Sequence, residues 1–100
     1  MEVEVTEVFH QWLRSLRDHR AKAMIVKRID RLTKGNLGDI KSVGGQIREL
    51  RIHHGPGYRL YCVQRGSSLI VLLCGGDKSS QSKDIAKAKE LAQSLARDSL

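Results

Sequence analysis

Arg51, His53, Arg59, Tyr61 and Lys78 are residues whose types and spacing can do chemistry. Guanidinium groups bind phosphate oxygens through paired N–H donors, an aromatic ring stacks on an unpaired base, and an imidazole titrates near neutrality. Gathered on one surface, such groups suit a phosphodiester. The reaction they would support is RNA cleavage by attack of the 2′-hydroxyl on the adjacent phosphate. It requires a base for the 2′-oxygen, cations for the charge building on phosphate, and an acid for the departing 5′-oxygen. Arg51 and Arg59 fit the cationic role and His53 the acid or base, with Glu49 and Asp77 as further proton-transfer candidates. The chemistry needs no metal and no cofactor.

Whether these groups meet depends on strand register. The pattern predicts strands over 47–54, 58–65 and 68–74, joined at Gly55-Pro56-Gly57 and Gly66-Ser67. With the first hairpin centred on Pro56, Ile52 faces Leu60 and Leu50 faces Cys62, giving one apolar face. On the other face Arg51 lies opposite Tyr61 and His53 opposite Arg59, with Glu49 one step further. That second face is expected to be open, so Arg59→Ala should leave folding intact. A tight turn at Gly66-Ser67 brings residues 75–78 beside Tyr58 and Arg59, so that Lys78 and Lys83 border the patch.

Other elements must hold this sheet. Glu2-Val3-Glu4-Val5 alternates as a short strand, with Val3 and Val5 inward. Thr6 can cap a helix whose stripe is Phe9, Trp12, Leu13 and Leu16. A break near Asp18-His19 leads to a second helix with the stripe Ala21, Met24, Ile25, Arg28/Ile29 and Leu32, stopped at Gly35. Helices joined so tightly should form an antiparallel hairpin. Residues 36–45 read as a loop and Gly75-Gly76 as a turn. A last helix over 81–97, capped by Ser79 or Ser80, buries Ile85, Ala88, Leu91, Ala92 and Leu95. The order β-α-α-β-β-β-α predicts an α+β fold: one small sheet packed against a helical hairpin and a C-terminal helix.

Composition sets the frame. A chain of 100 residues, with 40% apolar and 29% charged residues, fits a single domain, 1–100, and excludes a disordered chain. Its longest apolar run, Leu69 to Cys74, is far short of a membrane span, and the acidic, alternating N-terminus does not resemble an export signal. The expected location is the cytoplasm, with no membrane partner. Cys62 and Cys74 have no zinc-ligand spacing and read as buried free thiols. The net charge of +7 favours a polyanionic partner. Eight basic residues and two acids fall between Arg14 and Lys34.

Three segments together carry a resemblance: Glu49-Leu50-Arg51-Ile52, Gly55-Pro56-Gly57-Tyr58-Arg59-Leu60-Tyr61, and Leu72-Leu73-Cys74-Gly75-Gly76-Asp77-Lys78-Ser79. With Trp12-Leu13-x-x-Leu16 and Arg31-Leu32-x-x-Gly35-Asn36-x-Gly38-Asp39 upstream, the chain resembles the RelE/ParE toxin superfamily over nearly its whole length. More narrowly, it is similar to the HigB-like addiction module killer group related to phage Gp49-like proteins. The resemblance implies the toxin of a type II toxin–antitoxin system, with a cognate helix-turn-helix antitoxin and with mRNA and the ribosome as partners. It implies that Arg51, Arg59 and Lys78 act on phosphate. The basic helical segment, including Arg20, Lys27 and Arg31, then reads as a surface for RNA, with Tyr61 and Lys83 contributing at the sheet.

The chain departs from the family where related nucleases place a tyrosine or histidine at either end of the last helix. Here the start reads Gln81-Ser82-Lys83-Asp84 and the tail holds neither residue. His53, Asp84 or ribosomal RNA itself is left as the source of the base. Two other functions stay open on the sequence: a ParE-like inhibitor of a DNA topoisomerase, and a degenerate toxin that only binds its antitoxin.

Overall fold

The computed structural model describes residues 1–98; positions 99 and 100 of the tail considered above lie outside the described residues. The elements are β1 (Glu2–Val5), α1 (Glu7–Ser15), α2 (His19–Thr33), β2 (Ile40–Ser42), β3 (Ile47–Ile52), β4 (Tyr58–Arg65), β5 (Leu69–Asp77), a 3-10 turn (Lys78–Ser80) and α3 (Gln81–Asp98). The strands form a mixed sheet in the order β1-β5-β4-β3-β2, with β1 parallel to β5 and the other pairs antiparallel. The fold is α+β, as the order of elements predicts, with one strand more than expected.

Both sheet faces are covered. Phe9, Ala21, Ile25 and Leu32 from α1 and α2 pack on Leu50, Ile52, Leu60, Cys62, Ile70 and Leu72. On the opposite face Ala88, Ile85, Leu91 and Ala92 of α3 pack on Ile47, Tyr61, Val63, Val71 and Leu73. The face carrying the arginines is therefore not open: α3 buries most of it and leaves only the end near the β3–β4 turn. Val5 and Met24, expected inward, are exposed.

Local chemistry sets the helix starts. The Thr6 hydroxyl accepts from Phe9 N at 3.0 Å and donates to the Leu73 carbonyl at 2.5 Å, tying the cap of α1 to β5. Asp18 caps α2 by accepting from Arg20 N and Ala21 N. Asp77 caps the 3-10 turn that leads into α3, accepting from Ser79 N at 2.8 Å.

Three departures from the sequence reading shape the site. Residues 40–42, read as loop, form β2 on the edge beside β3; three residues between glycines show too little alternation to register as a strand. The β3–β4 hairpin is centred on Gly55, not Pro56, so Arg51 lies opposite Arg59, Leu50 opposite Leu60 and Glu49 opposite Tyr61. A five-residue loop accounts for this: His54 N bonds Ile52 O, Gly57 N bonds His54 O, and Gly55 and Gly57 take positive φ. The shift moves each pairing but keeps the side chains within β3 and β4 on their predicted faces; His53 falls outside the strand.

The third departure is in β5, which runs through Gly75-Gly76 to Asp77 instead of turning there. Tyr61 pairs with Cys74 but Cys62 with Leu72, so Leu73 is the extra residue of a bulge. The bulge puts both Leu73 and Cys74 on the α3 face. It thereby turns Gly75 toward Trp12 of α1 and Gly76 toward Asp84 of α3. Among the described residues, no helix is long and apolar enough to cross a membrane.

Candidate functional site

The centre of the site is a carboxylate. Glu49 projects from β3 between sheet and α3 and is 0% exposed. An ion so buried is stable only when its lone pairs are used. Oε1 lies 3.1 Å from Arg51 Nε and 3.6 Å from Arg59 Nε. Oε2 accepts from the Tyr61 hydroxyl at 3.0 Å and from Gln81 Nε2 at 2.8 Å. Burial alone would raise the Glu49 pKa, but hydrogen bonds from Gln81, Arg51 and Tyr61 and the charge of Arg59 outweigh it and hold the carboxyl below its ordinary 4.5. Burial and the neighbouring Glu49 charge push the Tyr61 phenol up.

Around this anion the arginines differ. The Arg51 side chain is 33% exposed, that of Arg59 only 12%. Arg59 Nη1 also donates to the Gly57 carbonyl at 3.2 Å, which ties the guanidinium to the turn. A Cβ placed on Gly57 would lie 3.6 Å from Arg59 Nη1 and 3.8 Å from Lys78 Cβ, so the turn passes between these two cations. Lys78 and Lys83 are exposed and line one shallow depression with Ser79, Ser80, Gln81 and Ser82.

On the α2 side, Lys27, Arg28, Arg31, Asp39, Arg51 and His53 line an open groove of about 480 Å³. Its floor is Arg28, buried on α2, whose guanidinium donates to the carbonyls of Arg51, Leu37 and Asp39 at 2.9, 3.1 and 2.7 Å. Gly38, at positive φ, is required there, because a Cβ would sit 2.9 Å from that guanidinium. His53 Nε2 meets Asp39 at 2.7 Å and His54 Nε2 meets Asp18 at 3.0 Å. The His53 hydrogen bond holds the Asp39 carboxyl below its usual range. The Ala21 N–H, followed by the His54 hydrogen bond, does the same for Asp18.

The structure thus brings Arg51 and Arg59 together over Glu49, with Lys78 and Lys83 beside them and Lys27 and Arg31 along the adjoining groove. Arg51 belongs to both regions. Other expected site residues are placed differently. Tyr61 is 0% exposed and bonded to Glu49, so it presents no ring for a base to stack on. His53 has left the strand and stands at the groove rim with Asp39, not opposite Arg59. Asp84 turns inward, accepting from the Ser80 hydroxyl and facing Gly76. Arg20 is exposed in the first turn of α2 and lines neither region.

Three residues were missed in these roles. Glu49 was legible in part, since alternation puts it in phase with Arg51; its burial was not, because the covering helix lies 32 residues on. Arg28 falls on the apolar stripe of α2, which is the signal that a cation there is buried. Gln81 gives no sequence signal.

These features define a small, basic α+β protein whose charged site lies where the turn end of β3 and β4 meets the start of α3. Residues 11–97 match the family model "Phage derived protein Gp49-like (DUF891)". The chain belongs to this Gp49-like family, a family of RelE-toxin-like proteins. It is 54% identical over 95 residues to an uncharacterized protein of Haemophilus influenzae, spanning 95% of this chain and 96% of that one.

Proposed function

We propose that this protein is the toxin of a type II toxin–antitoxin system, HigB-like and acting as a metal-independent endoribonuclease on translated mRNA. A cognate antitoxin, a helix-turn-helix protein, holds it inactive. The observation that carries this reading is the arginine pair over Glu49, flanked by exposed Lys78 and Lys83 and continued by Lys27 and Arg31. Cations so placed can hold a scissile phosphate and its neighbours along one strand.

In the reaction, the 2′-oxygen bonds to phosphorus as the bond from phosphorus to the 5′-oxygen breaks. A base takes the 2′-hydroxyl proton and an acid returns one to the 5′-oxygen. Arg51 and Arg59 stabilise the charge that grows on the phosphoryl oxygens. His53, oriented by Asp39 and next to Arg51 along the groove, is the imidazole placed to move a proton. Asp84 is not, because its carboxylate faces Gly76 and Ser80. A second acid–base group would come from ribosomal RNA, which makes the ribosome part of the active complex.

One observation favours a different reading. Glu49 offsets one of the two guanidinium charges, as suits a binding surface more than a centre for phosphoryl chemistry. A ParE-like inhibitor of a DNA topoisomerase would use such a surface and cleave nothing. Induction in bacteria, followed by mapping of mRNA 5′ ends, separates the two. Cuts within translated codons, lost in Arg51→Ala and reduced in Lys78→Ala, support the nuclease. Intact mRNA with stalled replication would overturn it.

A further inference from the structure

We infer that Glu49 and Gln81 are positioning residues for the arginine pair, an inference that rests on the phosphate-binding reading of Arg51 and Arg59. Glu49 Oε1 accepts a hydrogen bond from Arg51 Nε at 3.1 Å and faces Arg59 Nε at 3.6 Å, an ion-pair distance that leaves this buried Nε without a hydrogen-bond partner among the described residues. The terminal nitrogens of Arg51 have no hydrogen-bond partner among the described residues, and Arg59 uses only Nη1, toward Gly57. Arg51, held at Nε, keeps its end-on pair of terminal nitrogens for an oxyanion, while Arg59, drawn to the same carboxylate by charge, keeps Nη2. The carboxylate is therefore a bracket. It orders two long side chains on facing positions of β3 and β4 and offsets the repulsion between them.

The bracket works only if Glu49 itself cannot turn. Tyr61 and Gln81 fix its second oxygen, and the two come from different places. Tyr61 lies directly opposite Glu49 on β4, so the sheet alone sets it. Gln81 opens α3 and reaches Glu49 from across the domain, at 2.8 Å. It donates a hydrogen bond without adding charge, so the whole negative charge of Glu49 remains for the arginines. The same first turn carries Lys83, and the 3-10 turn before it carries Lys78. Gln81 thus keys the lysines of α3 to the arginines of the sheet. Glu49 has no role in proton transfer on this account: it has no exposure, and its oxygens are occupied.

Two readouts on the full-length protein test this. The Nε–H signals of Arg51 and Arg59 in proton–nitrogen NMR spectra report the bracket itself. Single-turnover cleavage of a ribosome-bound mRNA reports its consequence. Gln81→Leu is similar in size and cannot donate. It should shift or broaden both Nε–H signals with most backbone amides unmoved, and slow turnover at least about tenfold while changing affinity for the complex less than about threefold. Glu49→Gln, which raises the local charge but loosens the bracket, should bind at least as tightly as wild type and turn over at least about tenfold more slowly. Unchanged Nε–H signals in Gln81→Leu, or turnover within about twofold of wild type, would overturn the inference. A wild-type protein that cleaves nothing would instead overturn the nuclease reading, and the NMR signals would then decide the positioning role alone.

Discussion

Trp12 packs directly against the backbone of Gly75: a Cβ on that glycine would fall 2.3 Å from the indole Cζ3. The bulge at Leu73 creates this contact, because it turns Gly75 to the α1 face and Gly76 to the α3 face. Gly76 is as tight on its own side, where a Cβ would meet the Asp84 carboxylate. Gly75→Ala should destabilise the protein by about 2–3 kcal/mol, since the indole would have to give up its packing against Phe9 and Tyr58 to make room. Gly76→Ala should cost less, about 1–2 kcal/mol, because Asp84 can rotate away at the loss of its Ser80 bond. Urea unfolding of the two variants checks the order; an unchanged midpoint in Gly75→Ala would refute the contact.

Arg59→Ala should not leave folding intact, contrary to what the sequence alone suggests. Its side chain is 12% exposed and faces a fully buried carboxylate, so truncation removes one partner of a buried ion pair. Glu49 keeps Arg51, Tyr61 and Gln81, so the loss should be about 2 kcal/mol rather than the larger values seen for isolated pairs. Arg51→Ala, at a more exposed position, should cost about 1 kcal/mol. Thermal melts of both variants decide this, and equal melting temperatures would contradict the difference in burial. Arg51→Ala is accordingly the cleaner test of activity.

Acid should weaken the fold through the same carboxylate. The Glu49 pKa is depressed in the folded state from its ordinary 4.5, and those of Asp18, Asp39 and Asp77 are lowered too. A carboxyl whose folded pKa is the lower one adds stability above its unfolded pKa and loses it as pH falls through the folded value. Melting temperature should therefore drop from roughly pH 5 downward, and less steeply in Glu49→Gln, which has no proton to take up there. A parallel drop in the two proteins would rule Glu49 out as a source of the acid sensitivity.

Much of the fold was legible because it rests on periodicity. The stripe Phe9, Trp12, Leu13 and Leu16, the cap Thr6 and the alternation of 58–63 each follow from one stretch of chain, and each is found where the pattern places it. What was not legible depends on partners distant in sequence. β2 is three residues that become a strand only beside β3. Gly75-Gly76 reads as a turn until the indole and the carboxylate that press on it are known. The site divides in the same way. Arg51 and Arg59 share a face because of alternation, which survives a wrong register. The burial of Tyr61 and Glu49 depends on where α3 lies, and no local pattern contains that.

The cysteines should be inert in the folded protein. Burial pushes the Cys62 thiol to about 11 and the Cys74 thiol to about 12, and the Cys74 hydrogen is directed at the Asp84 carbonyl. At neutral pH almost none of either group is thiolate, the form that reacts. Alkylation by iodoacetamide should be slow in buffer and rapid in denaturant, with Cys62 and Cys74 released together. Fast native labelling of Cys74 alone would show that α3 lifts from the sheet, since that helix is what covers it.

The groove along α2 separates the basic residues by role. Lys27 and Arg31 line it with Arg51, whereas Arg20 stands apart. If RNA lies there, Lys27→Glu with Arg31→Glu should weaken association with ribosomes and make its salt dependence shallower, by roughly one unit of slope for each phosphate no longer neutralised. Arg20→Glu should change the slope little, although it alters net charge as much as either single reversal. Co-sedimentation with ribosomes over a salt series measures all three. Equal effects from Arg20 and Arg31 would mean that only overall charge matters. The expected difference would mean that the strand follows the groove toward Arg51.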